Sequence, residues 1–318
     1  MQNRRLAGII VMCLLAGAAS AIMVQIPQAD IQSQADAIVT GTVTGVSSQW
    51  NQDRTAIYTD VTIAVERADK GSVDRDVVVR VPGGEVDDIG MAVEDVPVFS
   101  VGQQVKLYLA RTSTDVFELV ANGQGGMIDA RPVAYYSYSG YHRSLASCYY
   151  SIYSGLPSDW NSAIQAGAST WSAAGSAFRF YYNGTTGASG TIYDGINCVS
   201  RGSLGNGILA QNSYWYNRST KHVSENDIVF NTLYGWSTSG APGLYDVQNI
   251  GTHEQGHCLV LNDLYKAAHT ELTMYGYGAT GETKKSTLEP GDIAGIKYIY
   301  GVGFDRGVPA LKAPAVTD

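Results

Sequence analysis

Two hydrophobic periodicities divide the chain. From residue 22 to about 131, apolar residues alternate with polar ones or run in short β-branched and aromatic stretches, and no amphipathic helix interrupts them. Strands are predicted over 37–46, 57–66, 77–81, 104–109 and 116–120, punctuated by Gly71, Pro82-Gly83-Gly84 and Asn122-Gly123. Five or six short strands without helices predict a small β-barrel or sandwich. Asp87, Asp88, Glu94 and Asp95 read as a solvated acidic loop rather than a metal site.

Beyond 131 the pattern changes. A tyrosine-rich junction over 132–155, with Tyr135, Tyr136, Tyr138 and Tyr141, suits a half-buried seam between domains. Ser158 is the expected cap of a helix whose stripe is Trp160, Ile164, Gly167, Trp171 and Ala174. Strands are predicted at 178–182, 190–193, 207–212 and 227–231. A second helix, capped by Asp246, carries Val247, Ile250, Gly251 and Glu254 on to His257, Cys258 and Leu261. A last helix starts near Pro290, turns Ile293, Ile296 and Tyr300 inward and stops at Gly301. The predicted fold class is α+β: a small β-barrel or sandwich over 22–131, then an α/β domain over 156–301 and a loose tail over 302–318.

The 318 residues leave room for two domains. Residues 1–21 read as a signal peptide. Arg4 and Arg5 precede an apolar run, and Ala19-Ser20-Ala21 offers a small-residue cleavage site that makes Ile22 the expected mature start. No later stretch is long and apolar enough to span a bilayer, so a secreted, extracellular protein with no stable membrane insertion is expected. The formal net charge of −8 argues against nucleic acid or anionic membrane as partners. Export permits a disulfide, and Cys148–Cys198 is the favoured pair, with Cys258 a small buried hydrophobe. Asn183-Gly184-Thr185 and Asn217-Arg218-Ser219 are glycosylation sequons in a host that uses them.

Chemistry concentrates at His253-Glu254-Gln255-Gly256-His257. Two histidines four apart on a helix project from one face, so their imidazoles can grip one Zn²⁺, and the glutamate between them can hold a water. Asp263, six residues on, is placed to become the third ligand after the helix ends. Three protein ligands and one open position describe a hydrolytic zinc site rather than a structural one.

With these residues the stretch from about 156 to 301 resembles the metzincin metallopeptidases, and within them the matrixin-like branch. His253, Glu254, His257 and Asp263 match the extended zinc motif. Aspartate in the third position is similar to the snapalysin group of secreted bacterial proteases. Thr273-Met274-Tyr275 resembles the methionine turn, an apolar floor under the ligands. Residues 227–231 resemble the strand before the zinc helix, and Gly207-Ile208-Leu209-Ala210 the edge strand of the cleft. Leu288, Asp292, Gly295-Ile296 and Tyr300-Gly301 are similar to the closing helix.

Two departures stand out. Such families place glycine three residues after the second histidine, where Val260 stands here; a β-branched residue resists a positive φ. Either the turn falls on Asn262, or Asp263 falls short and His269, backed by Glu271, substitutes. Gly276 stands where some members carry a tyrosine ligand, so no such ligand is expected.

The resemblance implies a zinc endopeptidase acting on polypeptides, with Glu254 as general base, one catalytic Zn²⁺ and Met274 packed beneath it. Gly207, Ile208, Leu209 and Ala210 would pair with an extended substrate, and Tyr275 would wall a pocket. The sequence leaves a structural Ca²⁺ open. Two other readings compete: a non-catalytic extracellular binding protein with a relic zinc domain, and a zinc hydrolase of another fold with Glu282 or Glu289 as third ligand. For the β domain, latency, binding and assistance to folding are all compatible with the sequence.

Overall fold

The structure, a computed structural model, describes residues 22–93, 95–113, 116–123 and 135–302. The expected signal peptide, Glu94 and nearly all of the tail lie outside the described residues. Among those described, no helix is long and apolar enough to cross a membrane.

The N-terminal half closes into a five-stranded barrel. Its strands are β1 (Ala37–Trp50), β2 (Ile57–Lys70), β3 (Asp76–Pro82), β6 (Gln104–Arg111) and β7 (Val116–Leu119), in the order β1-β2-β3-β7-β6. The predicted alternation is what fills it: Ile57, Val61 and Ile63, Val77, Val79 and Val81, and Leu107 and Leu109 all point inward. A helix, α1 (Gln28–Gln34), docks on the outside through Ile31. Two short strands between β3 and β6, β4 (Gly84–Val86) and β5 (Ile89–Val93), leave the barrel and join the sheet of the second half. The two halves therefore share structure instead of meeting as separate beads.

The second half is built on a seven-stranded sheet, ordered β4-β5-β11-β12-β10-β8-β9. Its own strands are β8 (Ser147–Tyr153), β9 (Arg179–Thr186), β10 (Cys198–Gly202), β11 (Ala210–Asn217) and β12 (Val223–Asn231). β8, β9, β10 and β12 run parallel to their neighbours among themselves; β11 is antiparallel to β12 and to β5. β12 is buried from Glu225 to Asn231 because both of its faces are covered, which explains its lack of alternation. Two residue pairs, β13 (Trp236–Ser237) and β14 (Tyr245–Asp246), form a small parallel ladder.

Three helices complete this half: α2 (Ser158–Ser172), α3 (Val247–His257) and α4 (Pro290–Tyr300). α2 and α3 are tied by two side-chain bonds, Trp171 Nε1 to the Thr252 carbonyl at 2.6 Å and Gln255 Nε2 to the Ile164 carbonyl at 2.9 Å. The tryptophan stripe of α2 is core, as its spacing implied.

Several expectations need correction. Ser158 does not cap α2; it is the first helical residue, and the extended Pro157 precedes it without a side-chain cap. Residues 190–193 form a loop rather than a strand, with the Ile192 amide on the Asp227 carboxylate and the Tyr193 amide on the Thr55 carbonyl, and the 207–212 strand enters its ladder only at Ala210. β8 and β10 were not foreseen, because SCYYSIY and CVSRG are too short and polar to show a period.

The favoured Cys148–Cys198 disulfide is absent: Cys148, Cys198 and Cys258 are all free and buried. The parallel register sets Cys198 opposite Ser151, so Cys148 lies three residues away, about 10 Å along the strand and beyond disulfide reach.

Candidate metal centre

The local sequence around the histidine pair folds as its caps dictate. Asp246 stands before α3, and its carboxylate accepts the Asn249 N–H at 2.9 Å, satisfying one of the helix's unpaired amides. At the other end the buried Arg143 donates through Nε to the Cys258 carbonyl at 3.3 Å, a cation set against the negative end of the helix. Arg143 also bonds Asn226 and Asn197, which ties the helix end to the sheet. Nothing in the sequence around Arg143 announced this role.

The chain then turns sharply, and the turn falls on Val260, at φ 65°. The expectation that it would fall on Asn262 is overturned. The Val260 N–H donates to the His257 carbonyl at 2.9 Å, and its own carbonyl accepts the Ser139 N–H at 3.0 Å. Its side chain is buried against Tyr214, Tyr216 and Val223. The Asn262 N–H reaches the Ser137 carbonyl at 2.9 Å. The tyrosine-rich junction is thus more than cover: its backbone props the turn that delivers Asp263.

His253, His257 and Asp263 meet at one point, their ligand atoms all within 4.8 Å of one another. The two Nε2 atoms are 3.1 Å apart; Asp263 Oδ1 lies 3.0 Å from His253 Nε2 and 3.5 Å from His257 Nε2. Zn–N and Zn–O bonds of about 2.0–2.1 Å at the tetrahedral angle separate neighbouring donor atoms by roughly 3.3 Å. The spacing fits one small divalent ion.

The protonation pattern fits as well. His253 Nδ1 lies 2.7 Å from the Thr273 carbonyl and His257 Nδ1 2.7 Å from the Leu261 carbonyl. A carbonyl only accepts, so each Nδ1 carries the proton and each neutral Nε2 turns its lone pair inward. Burial pushes His253 down to about 3 and His257 well below the usual imidazole range, so both rings are neutral at neutral pH. Two lone pairs facing each other at 3.1 Å beside a carboxylate form a group that could hold a metal ion.

Glu254 is fully buried beside this group. Its Oε1 accepts the Ile22 N–H at 3.3 Å, while Oε2 has no hydrogen-bond partner among the described residues. Burial, and then the nearby Asp263 charge, push its carboxyl well above the usual range. Asp263 is also raised well above its ordinary value by burial, against a hydrogen bond from Tyr265 Oη to Oδ2 at 3.2 Å. Tyr265 bonds Asp95 through the same hydroxyl. Asp95 is therefore not part of a solvated acidic loop: it reaches the edge of this site, while Asp87 and Asp88 are exposed as expected.

The floor is Met274. A Cβ on Gly256, between the histidines, would stand 2.3 Å from the Met274 sulfur, so only glycine lets helix and methionine meet there. His269 lies outside the metal-sized group; it is buried edge-on to Tyr135, ring centroids 6.0 Å apart. Glu282 pairs with the buried Lys285, and Glu289 caps α4, so both stand in structural roles. Lys285 Nζ also holds the Tyr277 carbonyl at 2.9 Å. Gly207, Ile208, Leu209 and Ala210 run along one side of the site. Across from them lie residues 276–278, with Tyr275 just ahead, its ring 5.7 Å from that of Tyr277.

No family model matches this sequence, and no curated protein matches it.

Proposed function

We propose that this chain is a zinc-dependent endopeptidase of the metzincin, matrixin-like type, exported to the cell exterior. The observation that carries the reading is the spacing of His253 Nε2, His257 Nε2 and Asp263 Oδ1, suited to one ion with Glu254 on the next helical position. These three residues would hold the metal. When bound, Zn²⁺ supplies Lewis acidity, which brings the pKa of a water towards about 7 and polarises a scissile carbonyl.

The rest is work for the chain's own residues. Burial keeps both imidazoles neutral, and the two Nδ1–H···O=C bonds aim them. Glu254 accepts the proton of the attacking water and returns it to the leaving amine; its burial raises its proton affinity and suits it to holding a proton between the two steps. The backbone of 207–209 and of 276–278 offers strand-like pairing to an extended polypeptide, which favours main chain over any one side chain.

The test is a pair of measurements on the purified full chain. The wild type should carry one zinc per chain and cleave an unfolded protein substrate, and Glu254→Ala should keep the zinc while losing at least about 100-fold in turnover. Undiminished turnover in that variant removes Glu254 from the mechanism. Zinc binding without cleavage by the wild type would favour a non-catalytic binding protein. A wild type that binds no divalent ion would leave His253 and Asp263 as a simple hydrogen-bonded pair.

A further inference from the structure

The cleft beside the candidate metal centre already holds a peptide, and it is this chain's own. Leu209 N–H donates to the Ile22 carbonyl at 3.0 Å, and Val24 N–H donates to the Gly207 carbonyl at 2.8 Å. Residues 22–24 thus run antiparallel to 207–209, with Met23 opposite Ile208. On the other side Met23 N–H donates to the Gly276 carbonyl at 2.9 Å, and its carbonyl accepts the Gly278 N–H at 3.0 Å, in parallel with Tyr277. Further along, Ser213 to Asn217 of β11 pair with β5. The edge is taken by residues 22–24 at one end and by β5 at the other.

Ile22 stands where chemistry would occur. Its N–H points at Glu254 Oε1, and its side chain is fully buried. A Cβ on Gly278 would come within 3.1 Å of Ile22 Cδ1, 3.1 Å of Leu209 Cδ1 and 3.2 Å of Ile250 Cδ1, so the missing side chain at 278 makes the space that Ile22 fills. The polar atoms used here are those an incoming extended polypeptide would need. With this strand in place, His253, Glu254 and His257 have no exposed surface, which is the wrong condition for a site that must admit a large substrate.

We propose that residues 22–24 are a resident occupant of the peptide cleft, seated in the direction and register of a cleavage product, and that a polypeptide enters only when this strand leaves. The inference rests on the peptidase reading for what enters, but the seating of the strand is independent of turnover. Tethering gives the strand an effective concentration on the order of millimolar, so a free peptide with equal contacts competes poorly with it. The strand adds regulation to the site without any new residue.

The experiment uses the unaltered full chain and Val24→Pro, which deletes the N–H donated to Gly207. A hexapeptide with the sequence of residues 22–27, carrying a fluorophore at its C-terminal end, is titrated with each protein and followed by anisotropy. The variant should bind it at least tenfold more tightly than the unaltered chain. Equal binding, including no binding to either, overturns the proposal. Hydrogen exchange on the unaltered protein gives a second reading that needs no variant: the Leu209 and Gly278 amides should be as protected as those inside β11, and fast exchange at both would also overturn it. If the variant binds the peptide but neither protein cleaves any substrate, the peptidase reading fails and the resident strand stands.

Discussion

The carboxylate of Asp292, on the last helix, accepts the backbone N–H of Met274 at 3.2 Å through Oδ1, and through Oδ2 that of Thr273 at 2.9 Å. Thr273 in turn gives its carbonyl to His253 Nδ1, and Met274 lies under Gly256. One buried carboxylate on α4 therefore orients His253, a candidate metal ligand on α3. The same Oδ2 accepts the Glu289 N–H at 2.9 Å and closes the capping box of its own helix. Asp292→Ala leaves three amides without their acceptor, two of them buried. It should cost roughly 3 kcal/mol in urea unfolding and weaken zinc affinity by about 10- to 100-fold. A loss below about 1 kcal/mol together with unchanged zinc affinity would contradict this relay.

Val260 sets strain against packing. A non-glycine residue in the left-handed region costs on the order of 1–3 kcal/mol, and its buried side chain gives back about 2 kcal/mol. Val260→Ala loses the packing and keeps the strain, whereas Val260→Gly loses the packing and relieves the strain. The glycine variant should therefore be the more stable of the two, by about 1 kcal/mol, reversing the usual order of alanine and glycine. Denaturant midpoints for the two proteins decide it, and the ordinary order would show that the turn is unstrained.

Under the proposed reading, removing the metal should loosen the molecule as well as silence it. An ion bound only by the folded state stabilises it by RT ln(1 + [L]/Kd), about 4 kcal/mol at a thousand times Kd. A chelator should lower the melting temperature of the wild type. In Asp263→Ala, where one of three ligands is missing, the same chelator should change it little. Equal chelator effects on both proteins would exclude Asp263 as a ligand.

Stability should also decline between pH 6.5 and 8. Glu225 accepts the amides of Asp194 and Gly195, and Asp227 accepts those of Ile192 and Cys198. Burial outweighs these bonds, pushing Glu225 up to about 7 and Asp227 up to about 8. In the unfolded chain both titrate near 4, so over the interval between, the folded state holds more protons. Their contribution is fully present below pH 4 and is lost as pH rises through 7 and 8. His253 and His257 stay neutral in the folded chain, and in the unfolded chain they lose their protons between about pH 5.5 and 7.5, so they oppose the trend at its start and not near pH 8. Asp227→Asn should flatten the decline in urea titrations of the zinc-loaded protein; a slope as steep as that of the wild type would remove Asp227 as its source.

Elements with a period or a punctuation mark could be read from the chain. The barrel strands, the stripe of α2, the Asp246 cap and the Pro290-to-Gly301 helix are local events, fixed by neighbours a few residues apart. β8 and β10 escaped because both are short and mix polar residues among the apolar ones without a regular alternation. Asp95, Arg143 and Asp292 act through partners more than a hundred residues away, or through a turn in another element, and no local pattern marks such a role.

By itself the sequence determined the pair of histidines on one helical face and the glutamate beside them, since helix geometry alone sets residues four apart in line. Only the tertiary structure decided that Val260 bears the left-handed turn, that Asp263 rather than His269 joins the histidines, and that Ile22 comes to lie on Glu254. Those outcomes depend on which distant backbones prop a turn or fill a cleft, and such long-range pairing is set by the packing of the whole chain and not by the order of any short stretch of it.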